Sequence, residues 1–286
     1  MTSIPFCKFH GFGNDYIVIE RGFIPEGTDV GRLAIEICER NTGAGADGIA
    51  ILSRSSETDA DFDCEIVNPD GSIAGFSGNG TRCAVSYLYH TNKWTAGDLR
   101  LRTKSGVKNY RFLEKRGDGE FWFEAEIGKP NFSSDEIPVL TDTRRVAVVN
   151  EPIEVDGRHF TFSGVNVGNP VACIFVDSFD LDWRSIGRSM EISERFPERA
   201  NIVFVKVDDR ENIELRIWER GAGETSASGT CASGAAVLSA FLLRTDRIVK
   251  VHTPGGTTDV NWRDDDEIVI TGKANYSYEG VWPLGS

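Results

Sequence analysis

The sequence is poor in the features that mark metal, disulfide, membrane and nucleic-acid proteins. Its six cysteines (Cys7, Cys38, Cys64, Cys83, Cys173 and Cys231) lie far apart, and none forms a Cys-x-x-Cys pair. That spacing argues against a zinc ribbon and against a disulfide framework. The four histidines, His10, His90, His159 and His252, are equally scattered, so no metal site is expected. No apolar run approaches the ~20 residues of a membrane helix. Residues Met1 to Gly13 lack the basic and apolar blocks of a signal peptide. The expected setting is cytoplasmic, with no membrane partner. Positive charge is in deficit, 31 Lys and Arg against 44 Asp and Glu, a net −13. Such a chain repels phosphate backbones, so nucleic acid is not an expected partner. No Gly-x-x-x-x-Gly-Lys-Ser/Thr phosphate loop occurs. Gly43 to Gly48 does spell Gly-x-Gly-x-x-Gly, but it follows a predicted helix and precedes the strand-like Ile49 to Leu52. A dinucleotide fingerprint needs the reverse order, so no cofactor is expected.

What is present is globular in composition. Apolar residues make 40% of the 286 positions, glycine adds 30 residues, and 26% are charged. One large or two medium domains fit this length. An internal repeat decides for two. Ser77-Gly78-Asn79-Gly80-Thr81-Arg82-Cys83 leads into the apolar Ala84 to Tyr89, and Ser228-Gly229-Thr230-Cys231-Ala232-Ser233 leads into Gly234 to Leu243. Nine residues before each serine a strand-like run ends, at Asn68 and at Glu219. Another strand-like run closes at Thr103 and at Thr253, 26 and 25 residues after the serines, each with a glycine three residues on. Helices are predicted over Val30 to Arg40, Gly78 to His90, Trp183 to Glu191 and Thr230 to Arg244. Strands are predicted over Leu99 to Arg102, Arg111 to Leu113, Phe121 to Glu124, Val146 to Val149, Ile202 to Val207 and Glu267 to Ile270. The segment Lys129 to Thr143 reads as a link. The fold class is α+β, with two pseudo-symmetric lobes, each a mixed sheet wrapped around one central helix.

Each half carries a glycine-containing turn that opens a helix. The first turn of a helix presents unpaired N–H groups at a positive dipole end, and glycine lets a ligand approach closely. Two such termini acting together suit a carboxylate. Glu219-Arg220 could recognise a zwitterion, the carboxylate taking an ammonium and the guanidinium a carboxylate. A solvated surface pair is the plainer alternative. Asn14, Asn68, Asn79, Asn169 and Asn201 fall in loops or at strand ends. Singly they read as turn residues. Together they would offer neutral donors and acceptors to a polar ligand.

These strings, with His10-Gly11-Phe12-Gly13-Asn14-Asp15, Gly43 to Gly48, Asn68-Pro69-Asp70-Gly71-Ser72, Phe196 to Asn201 and Glu219 to Thr225, resemble the diaminopimelate epimerase family. The resemblance runs in order from about Phe9 to the end. It implies two pseudo-symmetric lobes of sheet or barrel around a central helix, with the active site in the cleft between them. It places the N-terminal lobe at 1–128, with 272–286 returning to it, and the C-terminal lobe at 129–271. It implies epimerisation of LL- to meso-diaminopimelate without cofactor or metal, in lysine and peptidoglycan precursor synthesis. A cysteine thiolate would remove the α-proton and a cysteine thiol would return one. The corresponding catalytic positions here are Ser77 and Ser228. The implied substrate-binding residues are Asn14, Asn68, Asn169, Asn201, Glu219 and Arg220, with Gly78, Asn79, Gly229 and Thr230 anchoring the α-carboxylate. The partner is a small amino-acid or dicarboxylate substrate, and a homodimer is one option for assembly.

The two serines depart from the family pattern. A thiol has a reference pKa of about 8.5 and is readily lowered at a helix N-terminus. An aliphatic hydroxyl is a far weaker acid and needs an adjacent base. The family's histidine after Gly-Asn-Pro is Val171 here, so the Ser77 side is expected to lack a helper, whereas Glu219 remains beside Ser228. Val171, Cys231 and Ser233 together favour a natural variant over two isolated Cys-to-Ser substitutions. Two other functions stay open: a non-catalytic amino-acid binder, and an isomerase that shifts a proton of another substrate with Glu219 or Asp47.

Overall fold

A computed structural model describes residues 3–284, and the chain divides into two compact units, 1–125 with 271–286, and 126–270. In the first unit β1 (Ser3–Gly11) and β2 (Asn14–Glu20) form an antiparallel hairpin. The chain then crosses through α1 (Val30–Cys38) to β3 (Ile49–Arg54), parallel to β2. Next come β4 (Phe62–Val67), antiparallel to β3, and the two-residue β5 (Ile73–Ala74). A second crossover, through α2 (Gly78–His90), leads to β6 (Asp98–Thr103), parallel to β4. β7 (Gly106–Arg116) and β8 (Glu120–Gly128) follow antiparallel.

In the second unit β9 (Glu151–Val155), β10 (Arg158–Asn166) and β11 (Pro170–Phe175) are successive antiparallel neighbours. α3 (Trp183–Glu191) crosses to β12 (Asn201–Val207), parallel to β11. β13 (Asn212–Glu219) and β14 (Gly223–Thr225) are antiparallel continuations, and α4 (Gly229–Phe241) crosses to β15 (Ile248–Thr253), parallel to β13. β16 (Gly256–Trp262) closes a last hairpin on β15. From β10 onward the pairings repeat those of the first unit: hairpin, parallel step across a helix, antiparallel strand, short edge strand, parallel step across a second helix, hairpin. Finally β17 (Ile268–Pro283) pairs with β1 and with β8, so that β1-β2-β3-β4-β6-β7-β8-β17 closes on itself in the first unit.

The closed sheet explains the composition of α2. A helix walled in by sheet is buried on every face, and ten consecutive residues of α2, Asn79 to Leu88, are buried, the polar Asn79, Thr81, Arg82 and Ser86 among them. α4 is similar, with Thr230 to Ala240 buried and Ala, Gly, Ser and Cys dominating. Their buried hydroxyls turn back onto the helix: Ser86 donates to the carbonyl of Arg82, Ser233 to that of Gly229 and Ser239 to that of Ala235, at 2.9, 2.8 and 2.7 Å. α1 and α3 are amphipathic instead. Leu33 and Ile37 pack on Ile17, Ile19 and Ile51, while Trp183, Ile186 and Met190 pack on Ile202 and Phe204.

The expected α+β architecture, with sheet around a central helix in each unit, is what the chain adopts. Three local expectations change. Val146 to Val149 is not a strand: Val148 is buried, but Val146 is 91% exposed, and only scattered bonds such as Val148 N–H to the Phe132 carbonyl hold the segment. The strand expected over Glu267 to Ile270 is the start of β17, which runs on through Gly272 to Pro283. The segment 129–143 is no free link, because Ile137 and Val139 sit in the core of the second unit.

Candidate active site

In the first unit Ser77 has extended geometry (φ −139°, ψ 118°) and caps α2, its Oγ accepting the Gly80 N–H at 3.1 Å. The hydroxyl has a second partner, the phenol of Tyr16, at 2.9 Å. Tyr16 lies on β2, two residues after Asn14 and on the same face of the strand. Its ring occupies space kept open by two glycines: a Cβ would come within 2.7 Å of Tyr16 Cε1 at Gly48 and within 2.8 Å at Gly80. Thr81 Oγ1 donates to the Ser77 carbonyl at 2.7 Å and shares a 2.6 Å bond with Tyr110. The N–H groups of Gly78 and Asn79 are those that the helical ladder leaves over.

The asparagines of this unit have different tasks. Asn14 donates to Asp47 Oδ2 at 2.8 Å, and Asp47 also takes the Asp15 N–H at 3.0 Å and Arg40 at 2.7 Å. Burial raises the Asp47 carboxyl, while the ion pairs with Arg40 and Lys8 outweigh burial and hold Asp15 below the usual range. With its oxygens engaged in this way, Asp47 orients Asn14. Asn68 holds a turn by donating to Ser72 Oγ at 3.0 Å. The Asn79 side chain points inward and accepts from Arg82 at 3.0 Å. Arg82 is fully buried, which lowers its affinity for its proton, and its guanidinium lies against the backbone of Gly272.

In the second unit Ser228 caps α4 with nearly the same backbone (φ −147°, ψ 125°), but its bond to the Cys231 N–H is long, 3.5 Å. The Ser228 hydroxyl donates instead to Glu219 Oε2 at 3.0 Å, and Thr225 donates to Glu219 Oε1 at 2.7 Å. Burial raises the Glu219 carboxyl above its ordinary value, and these two bonds only partly offset that. Thr230 Oγ1 stands 3.4 Å from Ser228 Oγ. Asn201 opens β12 in register with Val171, and its Oδ1 accepts the Arg220 N–H at 2.9 Å. The Arg220 guanidinium donates to the Glu198 carbonyl at 3.0 Å. Asn169 stands in the turn before β11. Val171 is fully buried on β11 and packs against Gly234 of α4.

Of the expected residues, Glu219 and Thr230 lie within 3.4 Å of Ser228 Oγ, whereas the side chains of Asn14, Asn68 and Arg220 bond to Asp47, Ser72 and the Glu198 carbonyl. Sequence reasoning missed three that support them. Tyr16 is the first: it gives Ser77 an ionisable neighbour where the family's histidine is replaced by Val171. Arg82 orients Asn79. Glu191 accepts from Trp218 Nε1 and the Gly221 N–H at 2.8 and 2.9 Å, which fixes the loop bearing Glu219 and Arg220.

A solved structure of the same fold is a hydroxyproline epimerase from Agrobacterium vitis with bound trans-4-OH-L-proline, with a TM-score of 0.74 over 100% of this chain and 94% of that one, at 14% identity. The fold is thus one used by amino-acid epimerases. The chain itself belongs to the diaminopimelate epimerase family, which it matches over residues 6–132 and 163–277. Diaminopimelate epimerase of Caldanaerobacter subterraneus subsp. tengcongensis is 38% identical over 276 residues, 96% of this chain and 98% of that protein. The enzyme of Desulfitobacterium hafniense is 35% identical over 277 residues, 96% of each. The chain is accordingly an isomerase of the amino-acid racemase and epimerase kind.

Proposed function

We propose that this chain epimerises diaminopimelate, or an amino acid of the same dicarboxylate class, by transferring the α-proton through Ser77 and Ser228. The observation that carries this reading is the repeated half-site: in both units a partly exposed serine caps the central helix and bonds to an ionisable side chain, Tyr16 or Glu219. The N–H groups of Gly78, Asn79, Gly229 and Thr230 bind the α-carboxylate, stabilising negative charge as it develops at Cα. Asn14, Asn68, Asn169, Asn201, Glu219 and Arg220 bind the remaining polar groups. One half-site removes the proton and the other returns one, with no cofactor. Hydroxyls do this more slowly than thiols, because less of the anionic form is available at neutral pH.

The test is initial-rate deuterium uptake at Cα in heavy water, with LL- and meso-diaminopimelate supplied separately. The unmodified chain should show slow uptake. Ser77→Cys/Ser228→Cys should raise it, on the scale of general acid–base assistance, about 10²–10⁴-fold. Binding of both isomers with no uptake by either form would sink the proposal and leave a non-catalytic amino-acid binder.

A further inference from the structure

We propose that Tyr16 is the proton-relay partner of Ser77, the counterpart on the first half-site of Glu219 on the second. This inference rests on the function proposed above and names how its two serines work. The geometry is specific. Tyr16 is 5% exposed, its Oη lies 2.9 Å from Ser77 Oγ, and its ring lies at Cε1 against both Gly48 and Gly80, where a Cβ on either would collide with it. Gly80 belongs to the same helical turn that Ser77 caps, and its N–H donates to Ser77 Oγ. The serine oxygen thus accepts one bond from the backbone, which leaves its own proton and its remaining lone pair for substrate and Tyr16. A phenol both donates and accepts, and it is a far stronger acid than an aliphatic alcohol.

The two half-sites differ in sign. Ser228 donates its proton toward a carboxylate that burial makes more basic, an arrangement suited to proton removal. As Ser228 Oγ takes the proton from Cα, its own proton moves to Glu219 Oε2, and the C–H electron pair stays on carbon. On the other half-site Ser77 Oγ gives its proton to that carbon, forming the new C–H bond, and takes the phenolic proton of Tyr16. The negative charge that began on Glu219 ends on the Tyr16 oxygen. Water returns a proton to the phenolate and accepts one from the glutamic acid, which restores both groups. The reverse epimerisation follows the same atoms backward. Tyr16 acts through Ser77 and is a positioning and relay residue.

The decisive measurement needs no substrate. Ser77→Cys places a thiol in contact with Tyr16. The six native cysteines are free and buried, with thiol pKa values raised by burial, for example to about 11 at Cys7 and about 12 at Cys38, so they compete little for a label. The pH profile of iodoacetamide alkylation is compared in Ser77→Cys and in Ser77→Cys/Tyr16→Phe. Phe keeps the ring against Gly48 and Gly80 and removes only the hydroxyl. Loss of a hydrogen bond to the thiolate should move the profile up by about one pH unit. Superimposable profiles would overturn the pairing. In the unmodified background, Tyr16→Phe should lower kcat for epimerisation at least about tenfold with KM little changed. An unchanged kcat would overturn the relay. Absence of any Cα exchange by the parent chain would count against the proposed function, while the alkylation profiles alone would still decide the Tyr16–Ser77 pairing.

Discussion

Glu219 holds its charge in surroundings that resist it, and this gives the protein a pH-dependent element that does not require a substrate. Its carboxyl is raised by burial, so the folded chain binds that proton more tightly than the unfolded chain does. Glu219 therefore contributes its full share of stability below the ordinary carboxyl pKa of 4.5, and that share falls as pH rises through the folded value. Glu219→Gln should flatten this part of the profile and lose less stability between acid and neutral pH than the parent, as read by urea unfolding at several pH values. A parent and variant with parallel profiles would show the carboxyl to be well solvated. At this scale the sequence was only partly legible. Glu219 beside Ser228 could be foreseen from the resemblance to the diaminopimelate epimerase family, whereas the matched offset of nine residues alone would have paired Asn68 with Ser77, and Asn68 bonds to Ser72 instead. Tyr16 could not be foreseen, because an aromatic residue on a hydrophobic strand reads as core, and only the fold, which seats its ring against Gly48 and Gly80, brings its hydroxyl to Ser77. Asn79 was expected as a backbone or side-chain anchor; its side chain is engaged by Arg82 three residues on, a contact inside one buried helix that leaves no periodic signature, and its N–H remains for a ligand.

The central helices were the most legible elements and the strands the least. α2 and α3 begin and end where capping and periodicity place them, and α4 differs from expectation only at its ends. β7 was foreseen only at Arg111 to Leu113, since its eleven residues include just one fully buried side chain, Tyr110. Pairing with β6 and β8 extends it, and pairing is not a local property. The tight wall around α4 makes a further prediction. Ala in place of Gly inside a helix ordinarily stabilises by about 1 kcal/mol. At Gly234 the new Cβ would meet Val171 at 3.0 Å, and overpacking costs about 1–3 kcal/mol. Gly234→Ala should therefore lower the melting temperature, and Val171→Ala should partly rescue it, since the two changes share one contact. A stabilised Gly234→Ala would mean that α4 has room to move.

At the scale of the whole molecule, β17 carries an unusual share of the architecture. Its first residues belong to the second unit, and the remainder completes the ring of the first by lying against β1 and β8. Removing residues from Tyr276 onward should leave the second unit protected in hydrogen exchange and expose β1 along most of its length. Unpaired edges of that kind invite association between chains, so light scattering should report aggregation of the truncated form. The same strand also sets a clock. During synthesis the first 125 residues emerge with α2 and most of their core, but without Ala274, Tyr276 and Trp282 of β17, and the sheet around α2 cannot shut. It waits while about 145 further residues are made, at roughly 5–20 residues per second. For several seconds or more the earliest half of the protein is its least finished part. Whatever holds that gap in check acts before the enzyme has any substrate to bind.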